Sequence, residues 1–99
     1  MMVETIIDVV YTNKSEEAFD RYQKSFSEVI EAEMVFDDKR VNCELILTNK
    51  FNDKMRIKSG LTSGYIGEGP HGTLRVLKKC GFDVDEEFIH THETFKLKK

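Results

Sequence analysis

One proline, two cysteines and no long apolar run restrict what this chain can be before any motif is sought. Its longest apolar stretches are Ile6-Ile7 and Val9 to Tyr11, parted by Asp8, and Leu45 to Leu47. These fall far short of the roughly 18 residues that a membrane span needs, so no membrane partner is expected. The opening residues MMVETIID carry acids where a secretory signal carries Lys or Arg ahead of an apolar block, which argues against export. Cys43 and Cys80 form no CxxC pair and read as buried thiols in a reducing compartment, so a cytoplasmic location is expected. The sequence also lacks a GxxxxGK[ST] phosphate loop and an HExxH helix, which removes the usual signatures of ATP hydrolysis and zinc proteolysis.

What is present describes one folded domain over residues 1–99: 39% apolar residues, seven Phe and three Tyr supply a core that disordered compositions do not have. Val3 to Tyr11 alternates in β-branched residues and predicts a first strand. Caps at Thr12, Asn13 and Ser15, followed by Phe19, Tyr22, Phe26, Val29 and Ile30 at helical spacing, predict a helix from about Ser15 to Met34. Val41, Cys43, Leu45 and Leu47 alternate as a second strand. The turn-rich NKFND leads into a third over Lys54 to Lys58, as a hairpin. A short helix is predicted from about Pro70 to Cys80, closed by Gly81, then an acidic linker over Phe82 to Glu87 and a last strand over Phe88 to Leu97. The order β-α-β-β-α-β predicts an α+β fold, the ferredoxin-like split β-α-β sandwich, with two helices on one face of a four-stranded antiparallel sheet in spatial order 4-1-3-2. A mixed sheet with the last strand at another edge is the competing arrangement.

Five of the six glycines fall in GLTSGYIGEGPHG, residues 60–72, a segment that must be a shaped loop. Its Gly67-Glu68-Gly69-Pro70-His71-Gly72 matches GxGxxG between a predicted strand and a predicted helix, where backbone amides and a helix N-terminus suit an anion. Pro70 lacks an N–H, Glu68 brings negative charge and the chain is too short for a doubly wound domain, so a dinucleotide enzyme is not the expectation. The loop adds Thr62, Ser63, Tyr65 and Thr73 as hydrogen-bonding groups. Charge supports the same place: residues 1–49 hold 11 acids and 5 bases, whereas residues 50–99 hold 7 acids and 10 bases. Lys58 and Arg75 flank the loop, and Lys39, Arg40, Lys96, Lys98 and Lys99 are candidates for the same basic rim.

The expectation is therefore a binding protein for a phosphate-bearing nucleotide or metabolite, without a cofactor and more a binder than an enzyme. Its ligand residues are Lys58, Thr62, Ser63, Tyr65, Gly67, Gly69, His71, Gly72, Thr73 and Arg75. The alternative is an interaction module in which the loop is purely structural, and Ile6, Val10 and Ile46 on an open sheet face pair two copies as a homodimer. No residue is assigned as catalytic: Asp8, alone among apolar neighbours, reads as a solvated strand residue. His90 and His92 share a face of the predicted last strand. His71, Glu93 or a cysteine is a conceivable third ligand beside them, but two histidines make no site and no metal is assigned. Nucleic acid is not expected, because the predicted third strand, Lys54-Met55-Arg56-Ile57-Lys58, lacks the aromatics of an RNA-binding sheet.

Overall fold

The computed structural model describes residues 3–9, 11–37 and 42–99, so Val10, Lys39, Arg40 and Val41 lie outside the described residues. Glu4–Asp8 forms β1, and Thr12–Gln23 forms the helix α1, which buries Phe19 and Ser15. β2 (Val29–Asp37), β3 (Asn42–Asn49) and β4 (Lys54–Lys58) follow as an antiparallel meander. Two helices, α2 (Glu68–Lys79) and α3 (Glu86–Thr91), precede the last strand, β5 (Phe95–Lys98).

The sheet order is β1-β4-β3-β2-β5, with β1 parallel to β4 and the other neighbours antiparallel. This corrects the ferredoxin-like expectation: among the described residues the sheet has five strands rather than four, is mixed rather than antiparallel, and is accompanied by three helices. The expected hairpin between the second and third predicted strands is present as β3 and β4.

Two misread segments account for the difference. Val29 to Asp37 is a strand because it pairs along its length with β3, which satisfies its backbone and outweighs any local helix preference. A bulge between Val29 and Glu31 shifts its phase, so Val29, Ala32 and Met34 are all buried. The alternation expected of a strand is broken at that point, and Phe26, Val29 and Ile30 continue the helical spacing of α1.

The second misreading is Phe88 to Leu97. Asp85 caps α3 by accepting a hydrogen bond from the Phe88 N–H at 2.9 Å, and Glu86 and Glu87 occupy its first turn, where acids oppose the positive helix end. The acidic linker was thus a helix start. α2 ends as expected at Gly81, whose φ of 90° lets Gly81 N–H reach Lys78 O and Phe82 N–H reach Leu77 O, the paired bonds of a Schellman cap.

One face of the sheet carries the core. Ile7, Met34, Leu45, Leu47, Met55 and Ile57 belong to the same buried cluster as Phe19 of α1, Val76 and Leu77 of α2 and Ile89 of α3. The alternate residues of the same strands form an open face of mostly charged side chains. No helix is long and apolar enough to cross a membrane among the described residues.

Candidate functional site

The Gly-rich segment is held by its own polar groups. Gly64 adopts φ +91°, and its N–H donates to Ile89 O at 2.9 Å; a Cβ there would press on the Glu93 backbone. The buried Ser63 hydroxyl donates to Glu93 O at 3.0 Å. The buried Thr73 hydroxyl bonds Thr62 O at 2.7 Å and Gly69 O at 3.1 Å, fastening the first turn of α2 beneath the loop. Thr62 and Tyr65 pair through their hydroxyls at 2.8 Å, and Gly69 packs tightly beneath them. Gly67 is an extended N-cap, and Gly72 lies against Thr12 and Glu16 of α1. The His71 N–H donates to Gly67 O at 3.1 Å. Thr62, Ser63, Tyr65, Gly67, Gly69, His71, Gly72 and Thr73 are therefore one construction, and several of their donors serve to shape it.

The flanking bases do not converge on it. Lys58 sits on the open face of the sheet with Lys54 and Arg56, because Met55 and Ile57 take the core side of β4. Arg75 reaches back to α1, with Nε 2.7 Å from Glu16 Oε1 and an NH2 group 2.8 Å from Glu68 Oε1. Hydrogen bonds to Glu16, then to Glu68, raise its already high proton affinity, so its charge is shared between two carboxylates. Lys96 pairs with Glu31 at 3.0 Å and Lys79 with Asp20 at 2.8 Å.

A different constellation forms where the loop enters α2. His71, in the first turn of that helix, places Nε2 3.1 Å from Glu86 Oε1 at the start of α3. His90 follows Glu86 by four residues, so both project from one side of α3. The His71 and His90 rings lie 5.4 Å apart, centroid to centroid, at 50°. One ring nitrogen from each histidine and one Glu86 carboxylate oxygen all fall within 4.8 Å of one another. His90 Nε2 is buried and is the one such side-chain atom with no hydrogen-bond partner among the described residues. Donors around a tetrahedral zinc ion stand roughly 3.4 Å apart, from bond lengths near 2.1 Å, so a closure of at most about 1.4 Å would bring these three to ligand spacing.

The sequence pointed to His90 with His92, whereas the structure separates them. His92 follows the end of α3, stacks on Phe88 at 4.2 Å and places Nδ1 2.8 Å from Phe88 O. Glu86 was missed. Its signal, an acid four residues ahead of a histidine and just after a capping Asp, is legible only once 86–91 is known to be helical.

The thiols offer no competing chemistry. Burial raises Cys80 to about 11, opposed by the nearby Lys99 ammonium, and burial likewise raises Cys43. Cys80 lines a shallow cleft of about 200 Å³ with Phe19, Phe26 and Lys79, away from the histidines. No protein-family model, curated protein or solved structure matches the chain.

Proposed function

We propose that the protein is a binding module for a divalent transition-metal ion, held where the Gly-rich loop meets α2 and α3 by His71, Glu86 and His90. The observation that carries this reading is the grouping of one nitrogen from each of two imidazoles with a carboxylate oxygen within 4.8 Å, together with the buried, unpartnered Nε2 of the His90 ring. A buried polar atom without a partner costs about 1–3 kcal/mol, and a metal bond to this ring would remove that penalty. Two imidazoles and one carboxylate suit Zn²⁺ and its first-row neighbours; Mg²⁺ and Ca²⁺ prefer oxygen throughout. Three protein donors leave a fourth position open. A phosphate-bearing nucleotide or metabolite, the ligand the sequence suggested for the glycine amides, would enter at that position as an anionic donor. No catalytic role is assigned to any residue.

Titration of the chain with Zn²⁺ and with Mg²⁺, followed by calorimetry and thermal unfolding, tests the proposal. Saturating Zn²⁺ at 100 times its dissociation constant should raise stability by about 2.7 kcal/mol, and His71→Ala combined with His90→Ala should abolish that gain. Indifference to Zn²⁺ would remove the metal site. A nucleotide that stabilises the chain without Zn²⁺, and still does so when both histidines are replaced, would return the ligand to the glycine amides.

A further inference from the structure

We propose that the open face of the sheet is a homodimer interface, on which two copies meet face to face about a twofold axis running along β3. Three rows of side chains cross this face. The first is Glu4, Lys54, Thr48, Glu31 and Lys98. The second is Ile6, Arg56, Ile46, Glu33 and Lys96. The third is Asp8, Lys58, Glu44 and Val35.

Taken down the columns, the charges alternate by strand. β1 presents Glu4 and Asp8, β4 presents Lys54, Arg56 and Lys58, β2 presents Glu31 and Glu33, and β5 presents Lys96 and Lys98. β3, at the centre of the sheet order, presents Ile46 between Glu44 and Thr48. A half-turn about an axis along β3 lays each strand on the strand at equal distance on the other side. Lys54 and Arg56 of β4 then cover Glu31 and Glu33 of β2 of the second copy, and Glu4 of β1 covers Lys98 of β5. Ile46 meets Ile46 on the axis, whereas Thr48 is buried beneath Lys54, whose Nζ donates to its hydroxyl at 3.0 Å, and takes no part. A half-turn about an axis across the strands would instead lay β4 on β4, base on base. The pattern is thus self-complementary in one face-to-face arrangement and repulsive in the other.

Two further observations favour a second copy over bare solvent. Ile46 is only half-buried and meets its twin on the axis, while Ile6, 54% exposed, and the half-buried Val35 would lie against the aliphatic stems of Lys96 and Lys58 of the second copy. Glu44, the one acid placed opposite its own twin, is paired with Arg56 of the same chain at 3.2 Å; Arg56 also pairs with Glu4 at 3.1 Å and Lys96 with Glu31 at 3.0 Å, so the crossed contacts extend in-chain ion pairs into a network. The right-handed twist of each sheet lets two such faces align within about 30°, so contacts are best near β3 and diverge toward the edges. Five strands about 4.8 Å apart and five residues long span a patch of only some 400 Å², which predicts a weak, reversible dimer rather than an obligate one. The helices lie on the other face, so dimerisation leaves the His71, Glu86 and His90 cluster of each copy accessible and does not depend on it.

Sedimentation velocity of the full chain at increasing concentration is the first test, with a shift from monomer toward dimer expected and a weaker shift as salt is raised. Charge exchange is the second. Lys54→Glu alone and Glu31→Lys alone should each remain monomeric, because each lays like charges together twice. An equimolar mixture of the two variants should associate at least tenfold more strongly than either alone, because every crossed pair is again opposite in sign. Circular dichroism confirms that each variant is folded. A folded wild-type chain that stays monomeric up to millimolar concentration, or variants that self-associate as well as their mixture does, would overturn the proposal.

Discussion

His71 and Glu86 join the first turns of two different helices, with Nε2 and Oε1 3.1 Å apart. Their side chains are 38% and 62% exposed, so without a metal this contact stabilises the fold by at most about 1 kcal/mol. Glu86→Gln should therefore change the melting temperature little in the presence of a chelator. With Zn²⁺ added, the same substitution should remove most of the metal-induced rise. Equal zinc-dependent shifts in wild type and variant would show that Glu86 donates nothing to an ion.

Asp85 organises that carboxylate indirectly, since its side chain caps the helix that bears both Glu86 and His90. Asp85→Ala should lower stability by about 1 kcal/mol in denaturant titration. It should also weaken Zn²⁺ binding, although Asp85 is not among the three donors. Unchanged zinc affinity at reduced stability would mean that the alignment of α3 does not govern the site.

The cysteines should be chemically silent in the folded chain. With Cys80 raised to about 11, roughly one thiol in a thousand is ionised at pH 8, and Cys43 is buried with its proton affinity raised as well. Labelling by an alkylating reagent at pH 8 should be at least a hundredfold slower in native protein than in denaturant. Comparable rates would place a thiol at the surface.

Glu31 carries a measurable pH signature on the open face. The hydrogen bond from Lys96, followed by the charges of Lys96, Lys98 and Lys54, holds its carboxyl below the ordinary 4.5, against the opposing effect of desolvation. A carboxyl depressed on folding contributes stability that is full above its unfolded value and is lost as pH falls through the lower folded one. NMR titration of the Glu31 carboxyl should give a midpoint below 4.5 that moves upward in Lys96→Gln. Coincident midpoints in the two proteins would show that the 3.0 Å contact is not populated in solution.

The parts of the fold that alternate or cap in isolation were legible in the sequence. Cys43, Leu45 and Leu47 announced β3, Lys54 to Lys58 announced β4, and Gly81 marked the end of α2. What was illegible depended on partners far along the chain. Val29 to Asp37 follows helical spacing for its first residues and becomes a strand only because β3 lies beside it, with a bulge concealing the period. The glycines marked a shaped segment over residues 60–67, but residues 68–72, expected in the same loop, are the first turns of α2. Composition could not say that Ser63 ties the loop to Glu93, that Thr73 ties it to α2, or that Arg75 turns toward Glu16. The grouping of His71, Glu86 and His90 was half visible: both histidines are candidates in the sequence, but His90 is matched there with His92 along a strand that the chain does not make.

The parallel pairing of β1 with β4 sets an order on how the sheet can assemble. Glu4 must wait for Lys54, fifty residues later, before its strand has a neighbour, while β2, β3 and β4 zip together as successive hairpins. Until β4 forms, β1 therefore has no strand neighbour, and both of its backbone edges are open to pairing with other chains.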